Sequence, residues 1–223
     1  MTQTRWASFD CYGTLIDWDA GIRAELARIF GELEGERLLG RYHELEPEVQ
    51  RADLSASYRE VMATVLARLA DEAGTRLREH ERDVLGRSLP GWPAFGEVRG
   101  ALADAGERGW RLAILSNTDR DLIEASMAGI GVPFELAVVA SEIGSYKPAH
   151  RHWDAFYERT GADPARHVHV AASLYHDVRP AAEIGIACVW VNRLGERSDA
   201  PRARELPDLA GLGAVLDELV APS

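Results

Sequence analysis

Trp6-Ala7-Ser8-Phe9-Asp10-Cys11-Tyr12-Gly13-Thr14-Leu15 is the stretch on which the reading of the fold turns. Residues 6–9 are a short, mostly apolar run that reads as a buried first strand, and Asp10 stands at its end. Gly13 and Thr14 follow where a strand would give way to a turn. In open α/β sheets, ligands bind outside the carboxyl ends of the strands. A carboxylate placed there can act as a nucleophile, forming a covalent ester that splits one hard displacement into two easier steps. On this segment alone, a turn or helix-capping Asp is an equal reading.

Working outward from Asp10, strand-like runs recur at residues 111–115, 135–139, 167–171 and 187–191. Helical patterns at 121–128 and 150–160 lie between the later runs. This alternation predicts an α/β fold, a Rossmann-like parallel-sheet core with helices on both faces. The interval between the first two strands differs. From 19 to about 89 the chain reads as helix after helix, with Ile22, Leu26 and Ile29, then Val61, Val65, Leu66 and Leu69, at helical spacing. Pro90, Gly91 and Pro93 punctuate the return. The expected organisation is a core of residues 1–17 and 90–223 with an inserted helical cap domain of residues 18–89. The polar stretch 195–207, with Pro201 and Pro207, reads as a surface loop before a last helix.

The chain has 223 residues, a size that suits one large domain or a core with a small insertion, and 46% hydrophobic residues supply a sizeable core. Lys and Arg number 25 against 36 Asp and Glu, a net charge of -11. Such a surface argues against nucleic acid and anionic membranes as partners. A small anionic organic acid is still admissible, since one local cationic site can sit in an acidic protein. Cys11 and Cys188 are far apart, and neither belongs to a metal-binding spacing. They read as free thiols in a reducing compartment. The N-terminus lacks a basic-then-apolar signal pattern, and no stretch approaches a membrane span. The expectation is a soluble, cytoplasmic protein, with a homodimer compatible with it.

Four segments fall at or just beyond strand ends: Asp10-Cys11-Tyr12-Gly13-Thr14, Ser116-Asn117-Thr118, Lys147-Pro148, and Ser173-Leu174-Tyr175-His176-Asp177. Each alone is weak, since capping residues and surface lysines are common. Together and in this order, over essentially the whole chain, they resemble the haloacid dehalogenase superfamily. The resemblance implies Asp10 as nucleophile, with the Thr14 hydroxyl donating to its carboxylate. Ser116, Asn117 and Ser173 would bind a substrate carboxylate or phosphate. Lys147 would keep Asp10 ionised, and Asp177 would orient Lys147 or help place the hydrolytic water.

Two departures select a branch. Phosphatases of the superfamily carry a second Asp two residues after the nucleophile, as acid/base for the leaving alkoxide; here that residue is Tyr12. They also carry a magnesium-binding Asp just before the Ser of the last motif, where this chain has Ala172. Mg²⁺ needs oxygen ligands in near-octahedral array. A halide leaving group needs neither proton nor metal. The resemblance is therefore closest to the 2-haloacid dehalogenases, with no metal and no cofactor. It implies hydrolysis of a short 2-haloacid to a 2-hydroxy acid through an aspartyl ester. The alternatives are a phosphatase with a degenerate metal site and a non-catalytic small-acid binder.

Further residues enter through position. Arg41 lies where 2-haloacid dehalogenases place a halide-binding arginine; the alternative reading is a solvated helix Arg. Tyr12, Trp18 and Trp153 would form an apolar pocket around the carbon–halogen bond, or else ordinary core. Trp153 replaces the usual Tyr, and Leu174 the usual Asn of the last motif. Asn192-Arg193 after the last strand also resembles the dehalogenases.

Overall fold

A computed structural model describes residues 4–222. β1 (Arg5–Phe9) is buried along its whole length, as a central strand of a parallel sheet must be. The chain leaves it through Asp10 and turns at Gly13, whose φ of 86° lies in the region that glycine enters without Cβ strain.

Four helices follow: α1 (Trp18–Phe30), α2 (Glu32–Ala52), α3 (Tyr58–Glu72) and the short α4 (Val84–Ser88). The Asp17 side chain accepts the Ala20 N–H to start α1. Ser57 and Glu60 form a reciprocal capping box at the start of α3. The helices bury a cluster of their own, including Ile22, Leu38, Tyr42, Val65 and Leu69, which continues onto Leu122, Ala140 and Tyr146 of the sheet-bearing part.

The rest of the chain alternates: α5 (Val98–Glu107), β2 (Trp110–Ser116), α6 (Arg120–Ile130), β3 (Leu136–Val139), α7 (Ala140–Ile143), α8 (Arg151–Thr160), β4 (His167–Ala171), a π-helical turn at Leu174–Val178, α9 (Arg179–Glu183), β5 (Ala187–Val191), β6 (Arg204–Leu206) and α10 (Leu212–Leu219). The sheet order is β3-β2-β1-β4-β5-β6, and every pairing is parallel. The fold is the expected α/β class. The chain winds outward from β1 on one side through β2 and β3, and on the other through β4. The crevice at that switch opens above the ends of β1 and β4.

Side chains alternate along β1. Ala7 and Phe9 join the cluster that includes Val98 and Leu216, whereas Trp6 packs with Trp153 and Phe156 on the other face. Trp6 pairs with His167, and Ser8 with His169. The polar side chains of β1 and β4 therefore share one face.

Residues 195–207 are not all loop. Three of them form β6, which adds to the sheet edge beside β5. The triplet Arg204-Glu205-Leu206 is mostly exposed, so it lacks the apolar alternation by which a strand is recognised. Among the described residues, no helix is long and apolar enough to cross a membrane.

Candidate active site

Asp10 emerges from β1 only 8% exposed. Its Oδ2 accepts from Thr14 Oγ1 at 2.8 Å, and its Oδ1 from Lys147 Nζ at 3.0 Å. The Ala172 N–H donates to the same Thr14 oxygen at 2.9 Å, which leaves the hydroxyl proton for Asp10. Lys147 Nζ also donates to the Leu115 carbonyl at 2.8 Å and to Asp177 Oδ1 at 2.6 Å. The ammonium's three protons are thus matched to three acceptors, two of them carboxylates.

Burial works to lower the Lys147 pKa, but the two carboxylates outweigh it and hold the ammonium charged. Burial likewise works to raise the Asp177 pKa; Lys147 and His169 overcome it and hold this carboxyl well below the usual range. Asp10 goes the other way. Its burial, with the Asp177 charge added, outweighs the pull of Lys147, so its pKa is raised. One ammonium serves two carboxylates, and Asp177 is the better served.

The site opens into a cavity of about 830 Å³ between the sheet ends and the helices, lined in part by Asp10, Tyr12, Ser116, Lys147 and Asp177 from below and by Trp18 and Glu46 from above. Ser116 Oγ and Asp177 Oδ2 are buried with no hydrogen-bond partner among the described residues. Asn117 is committed elsewhere: its Oδ1 accepts the Lys147 N–H at 2.7 Å and its Nδ2 donates to the Lys147 carbonyl at 3.0 Å. It clamps the backbone that carries the lysine. Ser173 caps the π-helical turn, accepting the His176 N–H at 3.0 Å, and so fixes the turn on which Asp177 is carried. The Tyr12 hydroxyl lies 3.1 Å from Ser126 Oγ, and its ring stacks on Tyr58 with centroids 6.1 Å apart. Burial raises its pKa, so it is a neutral wall of the cavity.

Two expected residues are not at the cavity. Arg41 bonds Glu72 at 3.0 Å and Glu44 at 2.7 Å, and does not itself line the cavity. The cavity face of α2 carries His43, Glu44, Glu46, Pro47, Gln50 and Arg51. Arg41 is two residues before His43, about 200° around a helix of 3.6 residues per turn. Trp153 is 1% exposed and packs edge-on against His169, with ring centroids 5.3 Å apart. It sits on α8 against the face of the sheet, below the strand ends, and supports the site from behind.

Sequence reasoning missed several residues. His169 Nε2 lies 3.0 Å from Asp177 Oδ1. Glu46 is a buried carboxyl in the cavity wall. Arg193, seen only as part of a resemblance, bonds the Thr14 carbonyl at 2.8 Å and Glu97 at 2.7 Å while its guanidinium lies 3.6 Å from the centre of the Phe95 ring. It ties the nucleophile loop to the end of β5. The alternation of strand β4, which puts His167, His169 and Ala171 on one face, was the available signal for His169.

The residues present do not fit a Mg²⁺ ion. Lys147 Nζ bridges the Asp10 and Asp177 carboxylates. Position 172 offers no ligand side chain, and the phenol at 12 is neutral.

A sequence model described as haloacid dehalogenase-like hydrolase matches residues 4–185. A phosphoserine phosphatase of Thermus thermophilus is 34% identical over 120 residues; that match covers 53% of this chain and about half, 47%, of the phosphatase. Haloacetate dehalogenase H-2 of Moraxella sp. is 28% identical over 199 residues, covering 87% of this chain and 88% of that one. The solved structure of L-2-haloacid dehalogenase from Xanthobacter autotrophicus superimposes with a TM-score of 0.86 at 20% identity, covering 97% and 99% of the two chains.

Proposed function

The chain belongs to the haloacid dehalogenase-like hydrolases, and we propose that within them it hydrolyses short 2-haloacids through an ester on Asp10. The observation that carries this reading is the Lys147 ammonium between Asp10 and Asp177, in a site with Tyr12 and Ala172 where phosphatases place acids. The likeness to haloacetate dehalogenase H-2 over most of both chains supports it.

Asp10 attacks the carbon bearing the halogen, and halide leaves with inversion at that carbon. Thr14 and Lys147 hold the carboxylate so that no reorganisation is needed at the moment of attack. The substrate's own carboxylate meets the Ser116 hydroxyl. Water then attacks the Asp10 carboxyl carbon, releasing a 2-hydroxy acid and one proton and restoring the nucleophile.

A single turnover in heavy-oxygen water tests this. The label should enter Asp10, since water attacks the enzyme's carboxyl carbon and the product keeps the oxygen that Asp10 gave it. Label in the product alone would refute the ester. The match to a phosphoserine phosphatase favours one rival. Phosphate release from phosphomonoesters that depends on Mg²⁺, with no halide release from 2-haloacids, would select it.

A further inference from the structure

Arg41 is held by Glu72 and Glu44, and the helical wall of the cavity carries other polar groups: Arg23, paired with Glu36 at 2.7 Å, Arg51, which donates to the Tyr175 hydroxyl at 3.1 Å, and Glu46. Glu46 of α2 is 7% exposed and lines the cavity that Asp10 faces from the sheet side. Trp18 Nε1 donates to the Tyr58 hydroxyl at 3.0 Å, and that hydroxyl lies 2.9 Å from Glu46 Oε1. An indole N–H can only donate. The Tyr58 oxygen therefore accepts from Trp18, and its own proton goes to Glu46 Oε1. If Glu46 is uncharged, its acid proton stands on Oε2, the oxygen that Tyr58 does not occupy.

Resting on the dehalogenase reading above, we propose that Glu46, in its uncharged form, is the helical wall's hydrogen-bond donor to the departing halide. An in-line displacement sends the halide away from Asp10 and toward the opposite wall. Negative charge develops on the halogen only as the bond breaks, so a donor aimed there acts mainly on the transition state. The proton stays on Glu46, because a halide at neutral pH does not take it. Ionised, the same carboxyl would repel both the halide and the carboxylate of the substrate.

The surroundings favour the acid form. No Lys or Arg among the described residues is paired with Glu46. Burial pushes its carboxyl up to about 7, against the opposing pulls of the Tyr58 hydrogen bond and of His43, and Asp10 adds to the rise. His43 is itself tied to Asp19 at 3.2 Å. Tyr42, Tyr58 and Tyr146 beside it are phenols that burial keeps neutral, and Asp17, Asp19, Arg23, Glu44 and Arg51 line the same cavity without bonding it.

The test is the pH profile of kcat/KM for halide release from 2-chloropropionate, in wild type, Glu46→Gln and Glu46→Leu. Wild type should lose about tenfold per pH unit above the Glu46 pKa, as one ionising group requires. Glu46→Gln keeps a donor that cannot ionise. It should retain activity at pH 6 and lose this alkaline limb. Glu46→Leu removes the donor and should fall about a hundredfold or more at every pH. Circular dichroism of both variants excludes loss of fold as the cause. An alkaline limb that persists unchanged in Glu46→Gln, or a wild-type profile that stays level from pH 6 to pH 9, overturns this inference alone. A wild-type enzyme that releases no halide at any pH overturns the dehalogenase reading and takes this inference with it.

Discussion

His169 Nε2 lies 3.0 Å from Asp177 Oδ1, the oxygen that also accepts Lys147 Nζ at 2.6 Å, so one carboxylate oxygen is shared by an ammonium and an imidazole. Behind His169 runs a chain of polar groups. His169 Nδ1 is 2.7 Å from Ser8 Oγ, Ser8 Oγ is 2.7 Å from His167 Nε2, and His167 Nδ1 is 2.8 Å from the Tyr157 hydroxyl. Burial lowers the His167 pKa to about 3, so this ring is neutral. A carboxylate oxygen only accepts, so His169 Nε2 donates to Asp177 Oδ1, and the neutral His167 ring continues the series by donating at one nitrogen and accepting at the other. Hydrogen bonds aligned in series polarise one another, and the donor end of this series meets the carboxylate.

His169 is therefore a positioning residue that acts through Asp177. His169→Leu should lower kcat by about tenfold or more, the cost of one hydrogen bond to a charged group. It should also move the acid limb of the pH profile upward, because Asp177 loses a donor and draws harder on Lys147, at the expense of Asp10. Ser8→Ala should show the same shift to a smaller extent. A kcat loss without movement of the acid limb would make His169 a packing residue.

Lys147 is 2% exposed and pairs with two buried carboxylates. Lys147→Met leaves Asp10 and Asp177 facing each other without a cation. Breaking a buried ion pair from one side costs about 3–5 kcal/mol. The variant should unfold at markedly lower urea concentration and should form no ester at neutral pH. Near-normal ester formation, followed by mass spectrometry, would show that the charge is dispensable.

Arg41→Ala should leave halide release unchanged, since the guanidinium is engaged with Glu72 and Glu44 and does not line the cavity. Steady-state assays of the purified variant check this. A large loss would place Arg41 at the reacting atoms in some other arrangement of the helices.

The sheet was legible because its strands are continuous apolar runs, and Asp10, Thr14, Lys147 and Asp177 because they stand at or just beyond strand ends. Those four side chains do meet, at 2.6–3.0 Å. Arg41 misled because position along α2 says nothing about which face of the helix turns inward; only the register of His43, Glu46, Pro47 and Gln50 does. Trp153 misled because an aromatic just past a motif can face the sheet as readily as the substrate. Glu46 and His169 were hidden for a different reason. A glutamate in a polar helix and a histidine in a strand each look ordinary until tertiary packing removes the water around them. β6 was hidden because an exposed edge strand of three residues carries no apolar pattern.

Glu46 also gives a prediction about stability that needs no substrate. Its carboxyl rises from the ordinary 4.5 to about 7 on folding, chiefly through burial. The folded state then holds a proton that the unfolded chain has released, and stability falls as pH rises wherever the unfolded state binds fewer protons. A group with a raised folded pKa contributes its full stability below the unfolded value, and that contribution is lost as pH climbs through the folded value. One pKa unit is about 1.4 kcal/mol, so between pH 5 and pH 8 wild type should lose about 2–3 kcal/mol from this residue. Glu46→Gln keeps the size of the side chain and removes the titration. In urea unfolding, its stability relative to wild type should therefore improve by that amount from pH 5 to pH 8. An equal difference between the two proteins at both pH values would mean that Glu46 titrates as an ordinary glutamate and is already charged in the folded protein at neutral pH.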